Sequence, residues 1–313
     1  MKCYLGVDGG GTKTDYILMD EKFVVIDRLQ GDTTNHEALQ NGYDGTFYEL
    51  YEYIHKLLSR NNLQIADIKD AVFGLAGVDF SFQQDIISEK ISKIGLSRFL
   101  LCNDGFLGVK AAALSGKKSG INYNSGTATC CAGIDDSGNM LQLGGIGELS
   151  GDFGGGLTIT QSVYMLIYRE LFLRKEKTIL TKYYFDEFNI TNREEFLESA
   201  RYFSESDVDN FRKKLVKIFF TGLNQGDVQC HRIAHKMAVQ GAEYISAMVE
   251  NLQFQGNINV ILSGSIHTKA DSAYYMELLT KELENKHGSI FKFHILKTEP
   301  VEGARNWLEE RNS

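Results

Sequence analysis

The sequence is poor in the features that mark several common classes of protein. It has only five cysteines in 313 residues, without C-x-x-C spacing. This argues against a disulfide framework and a structural zinc site, and it fits a reducing compartment. The sequence also has no basic N-terminal region with a cleavage signal and no apolar run long enough for a bilayer. We therefore expect a cytoplasmic protein that has no membrane partner.

A basic stripe and two common phosphate-binding signatures are missing as well. The net charge is -8 and the basic residues are dispersed, so we expect no nucleic-acid partner. The glycine-rich segment near the N-terminus lacks both G-x-x-x-x-G-K-[ST] and G-x-G-x-x-G spacing, so it is neither the common P-loop nor a dinucleotide fingerprint. At 313 residues the chain is long for a single core, which favours two lobes.

The most informative segment that is present is Leu5–Asp15, where an apolar strand runs into an acid and three glycines. Residues 14–19 then alternate like a second strand, which predicts a hairpin. Glycine lets successive N–H groups face an anion, while a hydroxyl and a cation can add to the same site. Asp8 could hold Mg²⁺ through water. The candidate phosphate-binding residues are Gly10, Gly11, Thr12 and Lys13. A purely structural hairpin tip remains the alternative.

Two later segments repeat this pattern of strand and small-residue turn. Residues 120–134 read as strand, turn and strand, with Gly126, Thr127 and Ala128 in the turn. Two such hairpins suggest two related lobes that face one nucleotide. Residues 259–265 offer a third buried strand that ends in Gly264 and Ser265, where an adenosine group could approach the backbone closely.

Asp104 is the candidate catalytic base. It follows a predicted buried strand at 99–103 and precedes a predicted helix, a position from which a side chain projects into the crevice at a sheet's carboxyl edge. Phosphoryl transfer to an alcohol needs a carboxylate near the hydroxyl. The alternative is that Asp104 only caps the helix that follows it.

A second glycine cluster and a polar turn are candidates for binding a polar ligand. The cluster at 144–156 can wrap such a ligand, and Asp152 within it can accept two hydrogen bonds or, alternatively, cap the next helix. Asn35 and His36 offer an amide and an imidazole, although a polar turn would explain them equally well.

The order and spacing of these segments resemble the actin-like ATPase and sugar kinase superfamily. Within it the chain looks most like the N-acetylglucosamine kinase branch, grouped with the BadF/BadG/BcrA/BcrD ATPases. Further matching segments are 32–36, 74–77, 103–104, 144–156 and 299–304. The resemblance implies an α/β, two-lobed, ribonuclease H-like fold with a nucleotide and sugar cleft between the lobes. It implies an N-terminal lobe at 1–117 completed by helix 300–313, and a C-terminal lobe at 118–299.

The resemblance also implies a function. It implies an ATP-dependent kinase that uses Mg²⁺ and phosphorylates the 6-hydroxyl of an amino sugar, N-acetylglucosamine or N-acetylmuramic acid, and we expect a homodimer. Sugar-binding residues implied by the resemblance are Asn35, His36, Gly77, Asp104, Gly145 and Asp152. Two alternatives stay open: a glucosamine kinase, and an activator of a 2-hydroxyacyl-CoA dehydratase. The activators share an iron-sulfur cluster that needs two suitable cysteines per subunit, and the lack of cysteine between Cys131 and Cys230 disfavours one.

Three departures from the family pattern affect these expectations. Ala128 stands where a glycine is common, so a positive φ there would be costly. Ile146 replaces a tryptophan and Phe153 replaces a glutamate in the second glycine cluster. These replacements predict a pocket that admits a bulkier sugar such as N-acetylmuramic acid.

Apolar periodicity places the secondary structure around these motifs. We predict strands at 3–8, 15–19, 24–30, 71–74 and 99–103, and helices at 43–59, 82–94 and 106–114. The crossing between lobes is predicted at 115–120. Beyond it we predict helices at 157–174, 194–203, 208–223 and 228–252, then a β-α-β-α stretch from 259 to 307.

Overall fold

Two five-stranded mixed sheets with the same connectivity form the protein in a computed structural model, which describes residues 2–112, 118–269 and 273–313. The first sheet has the order β3-β2-β1-β4-β5, and its strands are β1 (Cys3–Gly9), β2 (Thr14–Met19), β3 (Val25–Gly31), β4 (Ile68–Leu75) and β5 (Phe99–Cys102). The second has the order β10-β9-β6-β7-β8, and its strands are β6 (Gly120–Ser125), β7 (Thr129–Ile134), β8 (Met140–Gly144), β9 (Ile258–Ser263) and β10 (Phe291–Ile295).

Each sheet combines an antiparallel meander with two parallel strands. In the first, β2 is antiparallel to β1 and β3, while β4 is parallel to β1 and β5. In the second, β7 is antiparallel to β6 and β8, while β9 is parallel to β6 and β10. The predicted α/β class is confirmed. The repeated connectivity makes β6 the counterpart of β1, so the two glycine hairpins occupy equivalent places.

Helices pack on both sheets. Those in the first half are α1 (Gly42–Arg60), α2 (Ser81–Ile94) and α3 (Gly105–Ala112). Those in the second half are α4 (Gly156–Leu171), α5 (Leu180–Phe188), α6 (Arg193–Glu198), α7 (Val208–Asn224), α8 (Val228–Asn251), α9 (Ser265–Lys269), α10 (Ala273–His287) and α11 (Val301–Asn312). No helix of the described residues is long and apolar enough to cross a membrane.

The helix predictions were wrong in two places. α5 was missed because it is short and buries only Leu180 and Tyr184 fully, which leaves little periodic signal. The helix predicted at 194–203 is interrupted, since α6 is followed by a 3₁₀ segment at 199–203. The predicted crossing at 115–120 lies partly outside the described residues.

One cluster of buried side chains joins the two sheets. It contains Phe106 and Leu107 of α3, Ala132 of β7 and Trp307 of α11. The closest approach is at Gly303, where a β-carbon would lie 2.1 Å from the carbonyl oxygen of Leu107. Because glycine has no β-carbon, α3 and α11 can cross in direct backbone contact.

Ion pairs fasten α11 to the first sheet. Asp70 of β4 is fully buried, and Arg311 binds it with two hydrogen bonds of 3.0 and 3.1 Å. Arg98 lies 3.3 Å from the same carboxylate. Lys110 of α3 pairs with Glu310 at 2.7 Å. The last helix is therefore attached to both β4 and α3.

We expect Asp70→Asn to lower the free energy of unfolding by about 3 kcal/mol, because it removes one partner of a buried ion pair. Urea unfolding monitored by circular dichroism would measure the loss. Arg305→Gln on α11 is the control, because Arg305 forms partly exposed pairs with Glu302 and Glu309, worth about 0.5 kcal/mol or less. Equal stability of the two variants would show that Asp70 does not anchor α11.

Candidate active site in the cleft between the two sheets

The first glycine loop forms the tight turn between β1 and β2. The Gly10 N–H donates to the Lys13 carbonyl at 2.9 Å, and the Thr33 hydroxyl donates to the Gly10 carbonyl at 2.8 Å. Gly11, Thr12 and Lys13 are exposed at its tip. The Lys13 ammonium lies 2.7 Å from Asp15, so a phosphate contact through Lys13 would compete with this pair.

The second glycine loop is held by the start of α4. The N–H groups of Gly156 and Leu157 donate to the carbonyls of Gly126 and Thr127 at 2.8 and 3.0 Å. A β-carbon on Gly155 would lie 2.8 Å from the Thr127 carbonyl oxygen. Ala128 is not among the residues of positive φ. The cost that we expected for a β-carbon at Ala128 therefore does not arise.

The small-residue turn after β9 contacts the second glycine loop. Gly264 has φ +82, and a β-carbon there would lie 2.2 Å from the Ser125 carbonyl oxygen. Ser265 begins α9. Within α9, buried His267 contacts the Ser263 carbonyl through Nδ1 at 2.8 Å. Burial lowers the pKa of His267 to about 4, so its ring is neutral and donates to that carbonyl from Nδ1.

A cavity of about 560 Å³ lies next to the two glycine loops and the turn after β9. It reaches from Thr12 of the first loop past Gly126 and Thr127 to Ser265 and Ile266. One face of α7 forms its opposite wall, at helical spacing: Asp209, Arg212, Lys213, Val216, Lys217, Phe220, Thr221 and Asn224. The sequence predicted α7 as a helix but gave no sign of this wall, because periodicity does not tell which face meets a ligand.

Asp104 and Asp8 lie at the carboxyl ends of parallel strands. Burial, together with the nearby carboxylate of Asp79, raises the pKa of Asp104 to about 7. Burial and the neighbouring Asp104 and Asp15 raise the pKa of Asp8 well above its usual range. The pKa of Cys130 is raised mainly by burial and secondly by the charge of Asp104. Asp104 therefore lies close to both hairpins, since Asp8 precedes one glycine turn and Cys130 follows the other.

The donor set suits a hard cation. Two mutually repelling carboxylates favour a positive charge between them, and Mg²⁺ is commonly held by one or two carboxylates with the remaining ligands water or phosphate. Asp8 is the residue that would hold it, through water. The described residues bring together no group of three or more metal-ligating side chains.

Asn103 takes a helix-capping bond at the start of α3. Its side-chain oxygen accepts from the Gly105 N–H at 2.8 Å, and its side-chain N–H donates to Asp79 at 3.0 Å. The amides of Gly105 and Asp104 lower the pKa of Asp104 and partly offset burial. Capping of α3, which the sequence offered as the alternative role of Asp104, is thus carried out at least as well by Asn103. The sequence did not point to Asn103 for this role.

Asp152 organises the second glycine cluster. One carboxylate oxygen accepts from the N–H groups of Gly145 and Gly147, both at 2.9 Å. The other accepts from the hydroxyls of Ser150, at 2.8 Å, and Tyr244. A carboxylate has about four acceptor positions, so these four donors fill them. Sugar binding by Asp152 stays a prediction, and it would require one of these bonds to open.

The polar turn at Asn35 and His36 lies against Gly77. The Asn35 side-chain oxygen accepts from the Glu37 N–H at 3.0 Å, as a polar turn would. The His36 ring stacks on Tyr43 with centroids 4.1 Å apart. His36 Nδ1 is buried and has no hydrogen-bond partner within the described parts of the chain. An unpaired buried nitrogen is costly, so a ligand is a natural partner for it.

The two replacements in the glycine cluster differ in their surroundings. Ile146 is exposed on the loop. Phe153 packs against the core of the second sheet, and the Lys236 ammonium lies 3.9 Å from its ring centroid. Phe153 therefore contributes to packing.

All five cysteines are buried: Cys3, Cys102, Cys130, Cys131 and Cys230. Burial is also the largest cause of the raised pKa of each thiol. An iron-sulfur cluster shared between subunits needs thiolates at a surface. The five thiols do not meet that requirement.

Comparisons with known proteins agree with this architecture. The chain is 27% identical over 270 residues to an N-acetylmuramic acid/N-acetylglucosamine kinase of Clostridium acetobutylicum, covering 84% of each chain. The structure matches that of a proposed N-acetylglucosamine kinase of Chromobacterium violaceum with a TM-score of 0.70 and 17% identity, covering 97% of this chain and 98% of that one. It also matches a ROK hexokinase of Thermus thermophilus, with a TM-score of 0.59 and 14% identity over 98% and 99% of the two chains. The expected actin-like fold is confirmed. Because the family model matches residues 5–307, the chain belongs to the BadF/BadG/BcrA/BcrD ATPase family.

Proposed function

We propose that this protein is an ATP-dependent kinase that phosphorylates the 6-hydroxyl of an amino sugar, N-acetylglucosamine or N-acetylmuramic acid. The observation that carries the proposal is the place of Asp104 directly after β5, at the same sheet edge as Asp8 of the first glycine hairpin. The next residue, Gly105, lies against the second hairpin, since a β-carbon there would be 3.5 Å from Cys130 Sγ. The relative from Clostridium acetobutylicum, named for both sugars, supports this choice of substrate.

The nucleotide would occupy the 560 Å³ cavity. Its phosphates would lie between the two hairpin turns, and its adenosine would lie along α7 and α9, where Val216, Phe220 and Ile266 offer apolar contacts. Residues proposed for the phosphates are Gly10, Gly11, Thr12, Lys13, Gly126, Thr127 and Ala128; those for adenosine are Gly264 and Ser265. Bound Mg²⁺ would neutralise phosphate charge.

The sugar would lie on the Asp104 side of the cleft. Residues proposed to line this site are Asn35, His36, Gly77, Gly145 and Asp152, the last acting through the loop that it holds. Asp104 would accept the proton of the sugar hydroxyl, while the oxygen of that hydroxyl forms a bond to the γ-phosphorus. The bond between that phosphorus and the β-γ bridging oxygen breaks, and ADP leaves. A base with a pKa near 7 suits this step at neutral pH.

We also propose two lobes, at 1–117 with 300–313 and at 118–299, as well as a homodimer and a cytoplasmic location. A glucosamine kinase differs from the main proposal only in the acceptor. The buried thiols count against the dehydratase activator.

An ADP-release assay with N-acetylglucosamine, N-acetylmuramic acid, glucosamine and glucose tests the activity. We expect N-acetylglucosamine to give more release than N-acetylmuramic acid, because the latter would bring a carboxylate near Asp79 and Asp104. ADP release that none of the four sugars stimulates would refute the proposal.

Asp104→Asn should lower kcat by roughly 10²- to 10⁴-fold, because asparagine keeps the size of the side chain but cannot accept the proton. The dissociation constant of the sugar, measured by calorimetry, should change little. Near-normal turnover would remove Asp104 as the base.

Gly10→Val should weaken nucleotide binding by more than about tenfold, or about 1.4 kcal/mol, because the side chain would project where the phosphates are proposed to lie. The fold should tolerate it, since the nearest atom to a β-carbon there is the Lys13 carbonyl oxygen at 3.5 Å. Titration with a fluorescent ATP analogue gives the affinity, and Gly10→Ala is the smaller control. Wild-type affinity in Gly10→Val would contradict the loop assignment.

A further inference from the structure

A hydrogen bond crosses the cleft at Asp79. This residue lies in the first lobe between β4 and α2, and Gln142 lies on β8 of the second sheet. The Gln142 side-chain N–H donates to Asp79 Oδ1 at 2.5 Å, and Asn103 donates to the same oxygen at 3.0 Å. One carboxylate oxygen of Asp79 is therefore fixed by two amides, one from each side of the cleft.

The second oxygen of Asp79 is left for another donor. In residues 2–112, 118–269 and 273–313, every hydrogen bond to this carboxylate reaches Oδ1. The side chain is half-buried. Asp152 differs, because four donors already fill its acceptor positions. Of these two acids, Asp79 can accept from a ligand without first losing a bond.

The groups around Asp79 belong to the proposed sugar site. A β-carbon on Gly145 would lie 3.6 Å from Asp79 Oδ1. His36 is close enough for its charge to act on Asp79, and its buried Nδ1 lacks a partner among described residues. Glu37 and Asp104 are the other charged groups that interact with Asp79. Burial outweighs the two amide bonds and raises the pKa of Asp79.

We propose that Asp79 binds the acceptor sugar directly, by accepting a hydrogen bond from one of its hydroxyls or from its acetamide N–H, and that Gln142 and Asn103 position it. This inference rests on the proposed sugar kinase function. It assigns the direct carboxylate contact to Asp79, and it assigns Asp152 to holding the loop. Because Gln142 belongs to the other side of the cleft, the Asp79 site is complete only when the two sheets are as close as they are here.

Asp79→Asn is the first test. The oxygen of asparagine can still accept hydrogen bonds from Gln142 and Asn103. Its NH₂ group then faces the sugar, where a donor would meet the donor group of the sugar and no hydrogen bond could form. We expect KM for N-acetylglucosamine to rise roughly 10- to 100-fold, as for a lost hydrogen bond to a charged group. KM for ATP should stay within about twofold. Asp85→Asn, on the exposed face of α2, removes the same charge as a control and should behave like the wild type.

Gln142→Met tests the positioning role. We expect KM for the sugar to rise roughly 2- to 10-fold, as for one neutral hydrogen bond, with little change in kcat. If Gln142 acts through Asp79, adding Gln142→Met to Asp79→Asn should give almost no further rise in KM. An unchanged KM in Asp79→Asn would overturn the inference, and so would a full additive effect in the double variant.

Glucose shows which sugar group Asp79 contacts. A rise in KM for N-acetylglucosamine alone would identify the acetamide N–H, and a rise for both sugars would identify a hydroxyl; either supports the inference. Wild-type enzyme that releases no ADP with any sugar would instead refute the proposed function.

Discussion

The crossing of α3 and α11 is the contact on which the rest of the structure depends. α3 follows β5, which ends at Cys102, and α11 is the last helix of the chain, yet their backbones touch at Leu107 and Gly303. The surrounding apolar cluster includes side chains from both sheets. A side chain larger than hydrogen at Gly303 would force the helices apart. The spacing of the two sheets, and so the width of the cleft, depends on this contact.

The repeated connectivity of the two sheets explains why functional groups converge there. Each sheet has a glycine turn after its central strand. The strands parallel to that central strand end at the same edge of the sheet as the turn. Asp8 and Asp104 come from β1 and the end of β5 in one sheet, while the Gly126 and Gly264 turns come from the other. Burial, and after it the crowding of carboxylates, raises the pKa values of Asp8 and Asp104 and makes the site suited both to a cation and to a base.

Hydrogen bonds that lie outside the regular strands and helices then give the site its shape. Asp152 holds the second glycine cluster, Asn103 links the start of α3 to Asp79, and Gln142 reaches Asp79 from the opposite side. Asn103 binds two partners and Asp152 binds four. The arrangement is therefore sensitive to the relative position of the two sheets, as expected for an enzyme that must exclude water during phosphoryl transfer.

The sequence by itself determined the α/β class, the two glycine hairpins, the turn at Gly264 and the place of Asp104 after a buried strand. These depend on periodicity and turn chemistry within a few residues, which are local properties. Only the tertiary structure decided that Gln142 meets Asp79, that Asp152 is filled by its own loop, that one face of α7 lines the cavity and that Arg311 pairs with Asp70. These partners are far apart in the chain, and their contacts follow from the packing of whole elements, which no local pattern specifies.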